Sequence, residues 1–332
     1  HPGRTRCSAP TGAMSAVVVG SGFVGLSCAL RLQAAGRAVR VVEAAAAGPG
    51  SVAAASHGNA GTFAAYAAVP VNRPGLWRAA LPMLTGTPSA TGIPPPLALR
   101  INAHLPALVP WLLRFMRHCR PARVEHTALA LGTLLSRAEA AFEPVLSQAG
   151  VDLTSAMGSF ADGGAAEAAS PFALRNGYLL MHSGAASLEG SARGAELRRA
   201  ALPGLRMERL DASGVRELEP AVSEDFVRDG GAWYFPDGWS LRQPAALLRA
   251  MAAGFEARGG EVLCGEEAAA VGTGAGGGAV VELKGGARLE ADVVVVAAGA
   301  RSAALAKSAG DAIPLDTERG HAVTFAPGSD AV

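Results

Sequence analysis

The sequence predicts an α/β fold in which a parallel sheet is begun early, left for a long excursion, and rejoined near residue 293. Two observations carry that expectation. Residues 16–43 run as an apolar β-branched strand, a glycine turn, a helical pattern, a second apolar strand and an acid. Far downstream, Val293-Val294-Val295-Val296 followed by Ala297-Ala298-Gly299-Ala300-Arg301-Ser302 repeats the first half of that pattern. Four consecutive valines read as a strand buried on both faces, and the small residues after them permit close backbone approach to a ligand.

The first stretch reads AVVVGSGFVGLSCALRLQAAGRAVRVVE. Val17, Val18 and Val19 form the strand, which ends at Gly20-Ser21-Gly22-Phe23-Val24-Gly25. Leu26, Ala29, Leu30 and Leu32 then share one helical face, Gly36 stops the helix, and Val39 to Val42 make the second strand, closed by Glu43. This is the order of a Rossmann-like dinucleotide-binding unit. Gly20 permits the tight turn, Gly22 lets the backbone approach a pyrophosphate, and Gly25 lets the helix pack closely on the sheet. The helix N-terminus offers free N–H groups and partial positive charge to phosphates. Glu43, eighteen residues after Gly25, can accept bonds from ribose hydroxyls and disfavours a phosphorylated ribose. A GxGxxG string alone is a weak signal; here the whole strand–turn–helix–strand–acid unit is present.

Composition bounds the rest. The 332 residues are half apolar and 17% charged, enough for a large core and more than one domain. A net charge of +1 gives no electrostatic footprint for nucleic acid. Cysteines at 7, 28, 119 and 264 have no paired spacing, so neither a metal site nor a disulfide framework is expected, and Cys28 reads as a small packing residue. No apolar run has the length of a membrane span. Residues 1–13 are read as a disordered or targeting remnant and set aside from the fold, with Met14 a plausible natural start. The expected location is cytoplasmic, with contact at a membrane periphery and organelle targeting left open.

After Glu43 a loop of small residues ends in Ser56-His57-Gly58-Asn59-Ala60-Gly61, placed by chain order beside the dinucleotide crevice. Residues 62–96 are irregular and proline-rich, a connection long enough to be functional. Residues 97–119 read as one or two apolar helices broken at Pro106 and Pro110, with Arg114, Arg117, His118 and Arg120 at a basic end. That end suits either a solvated core helix, the preferred reading, or a membrane surface. Residues 124–149 form a further helix. A strand from Leu174 to Met181 follows, then a helix to about Ala200, a strand Met207 to Leu210, and a short helix capped by Asp211 or Ser213. GAWYFPDGWS reads as strand whose aromatics either pack or face a substrate. Residues 244–258 form an amphipathic helix, Glu261 to Leu263 a strand, and the glycine-rich stretch up to Ala291 a β-meander. The expected domains are 14–96 and 241–310 for the two parts of the cofactor domain, 97–240 for a mostly helical substrate-domain insertion, and 311–332 for the start of its return.

These residues carry a resemblance. VVVGSGFVGLSCALRLQAAGRAVRVVE, SHGNAGTFAAYAAVP, Gly75-Leu76-Trp77-Arg78, PWLLRFMRHCRPARVEHT, RELEPAV, FPDGWSLRQPAALLRAM, VVVVAAGARS and PLDTERGHAVTF together resemble the FAD-dependent amine and amino-acid oxidoreductases of the D-amino-acid oxidase superfamily. Within it, the chain is most similar to D-amino-acid dehydrogenases of the small-subunit type. The similarity runs from about residue 14 to 326. It implies an α/β, Rossmann-like FAD-binding domain with an inserted α+β substrate domain. It also implies FAD held at its pyrophosphate by Gly20, Gly22 and Gly25, and at its adenosine ribose by Glu43. Ser56, Asn59, Ala60 and Gly61 would line the flavin side, the backbone near Ala268 would meet adenine, and Ala298, Gly299 and Ala300 would close over the cofactor.

The chemistry implied is oxidative deamination of a D-amino acid: hydride leaves the α-carbon for the flavin, and the imino acid hydrolyses to a 2-oxo acid and ammonia. Arg319 would hold the substrate carboxylate, with Tyr66 and His57 as further candidates for the substrate side. The electron acceptor is a quinone or oxygen, and the partner a small amine or amino acid. A glycine- or sarcosine-type flavin oxidase, an NAD-dependent dehydrogenase and a non-catalytic fragment stay open as alternatives. The sequence departs from the family at Glu318-Arg319-Gly320-His321-Ala322, where members often read ERGYH. The family's chains also run on past the position of Val332, so the resemblance leads us to expect a fragment.

Overall fold

The computed structural model describes residues 14–72, 74, 105–274, 276–315, 317 and 320. The expectations for residues 1–13, for the triple proline, for Gly75 to Arg78, and for Arg319, His321 and Ala322 lie outside them. The chain is α/β, with a parallel sheet and several antiparallel ones, and divides into two units.

The first unit comprises His1–Phe63, Ala140–Arg175 and Trp239–Val332. Its centre is a four-stranded sheet made of β1 (Ser15–Val19), β2 (Ala38–Glu43), β9 (Glu261–Cys264) and β13 (Val293–Val296), in the order β13-β1-β2-β9. All three pairings are parallel, with Val17 opposite both Arg40 and Val294. Alternate residues of β1 feed two cores. Ala16 and Val18 pack with Leu26, Ala29 and Leu30 of helix α1 (Phe23–Ala34), and with Leu247, Met251 and Phe255 of the helix Pro244–Ala257. Val17 and Val19 pack with Val271, Val281 and Leu283 of an antiparallel meander, and with Leu305 of the helix Ser302–Ser308. The meander is β10 (Ala268–Thr273), β11 (Ala279–Leu283) and β12 (Arg288–Ala291). A sheet covered on both faces needs continuous apolar strands rather than alternating ones, which is why β1 reads as an unbroken valine run.

β13 rejoins the sheet beside β1, but its four valines are half-buried rather than enclosed. Among the described residues it pairs with β1 alone and so forms the sheet's edge, where one flank lacks a neighbour. A small antiparallel sheet, β3 (Thr62–Phe63), β8 (Trp239–Leu241) and β4 (Ala173–Leu174), completes this unit. Phe63 stacks on Trp239 with ring centroids 3.7 Å apart, and Phe142 tilts against Phe63.

The second unit comprises Ala64–Glu139 and Asn176–Gly238. Its sheet is antiparallel, with β7 (Gly231–Phe235) between β5 (Tyr178–His182) and β6 (Glu208–Leu210). Leu188 and Ala195 cover one face of it, and Val215 and Val227 the other. Asp211 caps the helix Ala212–Leu218, accepting from Gly214 N–H.

Three sequence expectations are corrected. The strand expected from Leu174 to Met181 is two strands in two sheets, interrupted at 175–177, where Gly177 N–H turns away to the Gly238 carbonyl. The GAWYFPDGWS aromatics are divided in the same way between β7 and β8. The helix Leu105–Arg117 is continuous through Pro106 and Pro110. Pro106 stands in the first turn, where the missing N–H has no intrahelical partner to lose, so only Pro110 forfeits a bond.

Candidate cofactor site

The carboxyl ends of β1, β2 and β13 lie along one edge of the parallel sheet. From β1 the chain passes to β2 on one side and, much later, returns at β13 on the other. Strand order therefore reverses at the β13–β1 boundary, the place where open α/β sheets take ligands. Gly20 stands there. Its φ of +106° is open only to glycine, and a Cβ on it would meet the Ala297 carbonyl oxygen at 2.4 Å. Gly25 is fixed differently: a Cβ there would lie 1.9 Å from the Gly20 carbonyl oxygen, so α1 sits directly on the turn. At Gly22 no backbone intrudes; a Cβ would meet only the Ser56 hydroxyl, at 3.0 Å. Gly22 is also the N-cap of α1, with no side-chain cap and no acid in the first turn. The first-turn N–H groups of α1 thus have no side-chain cap, and the Ser56 hydroxyl is the group set against Gly22.

Glu43, at the end of β2, turns its carboxylate to the same place. Oε2 accepts from Ser21 N–H (3.1 Å) and from the Ser21 hydroxyl (2.5 Å), while Oε1 accepts from Ala45 N–H (2.8 Å). Ser21 is 3% exposed, the one polar residue buried to that degree among those described. Sequence reasoning passed over it. The available signal was a hydroxyl residue between the two glycines of a turn that a downstream acid must reach.

The loop after β2 is built rather than loose. His57 Nδ1–H donates to the Gly50 carbonyl (2.8 Å), Asn59 donates to the Ser56 carbonyl (2.9 Å), and Asn59 Oδ1 accepts from Gly61 N–H (2.7 Å). Gly61 in turn accepts from Leu241 N–H at the end of β8. Ser56 is thereby set against Gly22, Ala60 is exposed, and Gly61 is buried against Leu241. Across the sheet, Glu266 N–H donates to the Glu43 carbonyl (3.0 Å), and Ala268 follows at the head of β10, where the ladder shifts register. Ala298 caps the 3-10 turn Gly299–Arg301, and Arg301 reaches Glu267 at 3.2 Å, tying the turn holding Gly299 and Ala300 to the residue before Ala268. Gly20, Gly22, Gly25, Glu43, Ser56, Ala268, Ala298, Gly299 and Ala300 are therefore linked through direct contacts or immediate neighbours. Asn59, Ala60 and Gly61 lie on the Leu241 side of the loop.

Of the three substrate-side candidates, Arg319 is outside the described residues. The His57 ring is tied to the loop by Gly50. Tyr66 belongs to the second unit, where its ring stacks on Tyr178 (4.6 Å) and Phe235 (4.4 Å). Burial, and then its hydrogen bond with Tyr178, push its phenol above the ordinary range. Arg198 Nε donates to the Tyr66 carbonyl (3.2 Å). His182 Nδ1 faces the Ser187 hydroxyl, its Nε2 is buried without a partner among the described residues, and burial followed by the nearby Arg198 holds its pKa down. This aromatic and basic cluster was not anticipated, because its members come from segments of the chain far apart in sequence.

The fold and this strand-end arrangement define an α/β protein with a Rossmann-like FAD-binding domain. The chain matches the family described as FAD dependent oxidoreductase over residues 15–332, and it belongs to that family. It is 29% identical over 319 residues to a D-amino-acid oxidase of Bradyrhizobium diazoefficiens, covering 92% of this chain and 65% of that protein. Among solved structures it is similar to glycine oxidase from Geobacillus kaustophilus, with a TM-score of 0.53 and 19% identity over 90% of this chain and 59% of that one. It is also similar to L-α-glycerophosphate oxidase from Mycoplasma pneumoniae with FAD bound, with a TM-score of 0.54 and 13% identity over 90% and 57% of the two chains. The last two likenesses show the fold alone. The chain spans under two thirds of the length of each of these relatives.

Proposed function

We propose that the protein belongs to a flavin-dependent enzyme that oxidatively deaminates amino acids, with D-amino acids as the substrate class. The carrying observation is the strand-end constellation: Gly20 and Gly25 are required by backbone packing, and Gly22, at the uncapped start of α1, faces only the Ser56 side chain. In this reading Gly20, Gly22 and Gly25 hold the FAD pyrophosphate, Glu43 the adenosine ribose, and Ala268 with Ala298 to Ala300 the rest of the nucleotide half. Ser56, Asn59, Ala60 and Gly61 line the way to the flavin.

Bound FAD would accept hydride from the substrate α-carbon; water then converts the imino acid to a 2-oxo acid and ammonia. The chain's own task is to bind, orient and exclude water, and Arg319 is the cation we assign to the substrate carboxylate. The D-amino-acid class rests on the resemblance in sequence and on the 29% identity to a D-amino-acid oxidase. The small-molecule partner follows from that class, and the electron acceptor is a quinone or oxygen. Among the described residues no helix is long and apolar enough to cross a membrane.

The test is purification, reconstitution with FAD, and anaerobic titration with D-alanine, L-alanine, glycine and sarcosine. The expected result is a retained flavin spectrum that bleaches with the D-amino acid. Failure to take up flavin would refute the cofactor reading; flavin uptake with bleaching by sarcosine only would move the substrate to secondary amines.

A further inference from the structure

We propose that the protein docks on a membrane surface bearing anionic lipids, through the outward face of the helix Leu105–Arg117 and the arginines at and beyond its end. This surface belongs wholly to the second unit.

Charge is spread unevenly along the chain. Between Glu43 and Glu125 there is no Asp or Glu, while seven arginines fall in the same interval, although the whole chain carries a net charge of only +1. Four of the seven, Arg114, Arg117, Arg120 and Arg123, follow closely on one another and are exposed. Among the described residues none of the four has an acidic partner. The backbone that carries them is fixed: Asn72 donates to the His118 carbonyl (2.9 Å), and Cys119 and Val124, set between and after the arginines, are buried.

The helix itself is apolar on both sides. Trp111 and Phe115 stack on each other, ring centroids 5.0 Å apart, and with Leu112 and Met116 they are half-buried. Away from them, Pro106, Val109, Pro110 and Leu113 follow the i, i+3, i+4, i+7 spacing of one helical stripe. All four are exposed, Leu113 at 64% and Val109 at 43%. Arg114 and Arg117 stand one turn beyond Pro110 and Leu113, so the stripe runs straight into cations. That pairing matches a lipid surface. Acyl chains take the apolar stripe, and the guanidinium groups stay at the level of the phosphates while their stems cover apolar surface. Pro110 limits the depth. It has no N–H for the carbonyl of Pro106, which water and headgroups can satisfy at the interface and acyl chains cannot. A nucleic acid would also meet the arginines, but it gains from aromatic faces on which bases stack. Here Trp111 and Phe115 are turned onto each other, off the exposed stripe.

The experiment is flotation of the purified protein with vesicles of phosphatidylcholine alone, and of phosphatidylcholine mixed with phosphatidylglycerol. The mixed vesicles should carry the protein and the neutral ones about tenfold less, with the difference shrinking in high salt. Arg114→Gln combined with Arg117→Gln should lower partition onto the mixed vesicles about thirtyfold, about fivefold for each arginine. Val109→Ser combined with Leu113→Ser should lower it about tenfold at unchanged charge. All four positions are exposed, so the far-ultraviolet circular dichroism of both variants should match the wild type; the comparison of the two vesicle types needs no variant and decides the matter if one fails to fold. No flotation with either vesicle, equal flotation with both, or serine variants that float like the wild type would overturn the proposal. Retention on a single-stranded oligonucleotide that exceeds vesicle binding and ignores the serine changes would assign the arginines to nucleic acid and overturn it as well.

Discussion

Glu43→Ala should destabilise the folded protein even when no nucleotide is present. From sequence the residue is a ligand for ribose, and its loss would weaken cofactor binding by about 1.5–3 kcal/mol, the value of hydrogen bonds to a charged group. The structure adds a second debt. The carboxylate satisfies Ser21 N–H, the Ser21 hydroxyl and Ala45 N–H. Ala45 is half-exposed and can turn to water, but Ser21 at 3% exposure cannot. Two stranded buried donors at about 1–3 kcal/mol each give about 2–6 kcal/mol, a large part of a typical total of about 5–15 kcal/mol. Glu43→Gln should do little better, since an amide turned to keep an oxygen at one pair of donors presents N–H groups to the remaining one. The assay is urea unfolding of the nucleotide-free proteins, followed by near-ultraviolet circular dichroism, with the midpoint falling at constant slope. Ser21→Ala should fall less than Glu43→Ala, because it removes one of the donors instead of stranding two. If Glu43→Ala and Glu43→Gln unfold at the wild-type midpoint, the carboxylate is a ligand only and the packing argument for Ser21 is wrong.

Gly25→Ala places a methyl 1.9 Å from the Gly20 carbonyl oxygen and should cost about 1–3 kcal/mol or more as α1 is lifted off the turn. Gly36→Ala, at φ +79° with open space around it, should cost only the left-handed strain of about 1–2 kcal/mol; thermal unfolding of the pair ranks them, and equal losses would mean the turn relaxes freely. His182 has its pKa lowered by burial and by Arg198, so the unfolded chain binds its proton first: stability is fully present above the ordinary histidine value of 6.5 and is lost as pH falls from there through the lower folded value. His182→Gln should flatten unfolding midpoints measured between pH 7 and 5, and an unchanged slope would assign that titration elsewhere. Arg319→Ala should raise KM strongly for substrates bearing a carboxylate and little for amines without one; equal effects in steady-state assays would make the arginine structural.

The fold was legible in the sequence where local chemistry is stringent. A valine run, three glycines at fixed spacing and an acid at the next strand's end leave few alternatives, and β1, α1 and β2 match that reading. The return at β13 was equally plain, because only a sheet needs four consecutive valines; its edge position was not, since edge or centre depends on what pairs with it. The expected strand Leu174 to Met181 misled because the apolar residues on either side of Arg175-Asn176-Gly177 do not say where one sheet stops and another begins. The division rests on Gly177 bonding to Gly238, sixty-one residues away in sequence. Pro110 misled in the opposite sense: it lies close enough to the helix start that the lost bond is tolerated. At the site, the glycines and Glu43 declare themselves by spacing. Ser21 is marked only by its hydroxyl between the two glycines, and Ala297 not at all beyond small size, because it acts through its carbonyl.

The runs of small residues around the strand ends look alike in sequence and do different work. In Gly20-Ser21-Gly22 the smallness is divided: Gly20 must clear Ala297, Ser21 must fit under Glu43, and Gly22 alone leaves space unclaimed by backbone. In Ser56 to Gly61 it serves a loop folded on itself, whose bonds to Gly50, Ser56 and Leu241 fix the Ser56 hydroxyl near that space. In Ala297 to Ala300 it lets one carbonyl press on Gly20 while Gly299, with nothing within 4 Å of its missing side chain, faces outward. Close packing of backbone on backbone thus accounts for Gly20 and Gly25 without any ligand. A left-handed φ of +56° accounts for Gly299 as well, which leaves Gly22, where no backbone intrudes and only the Ser56 side chain lies against the position of a Cβ. Gly22 stands at the reversal of strand order and at the uncapped start of α1, and that placement is what the proposed nucleotide across the sheet's edge draws on.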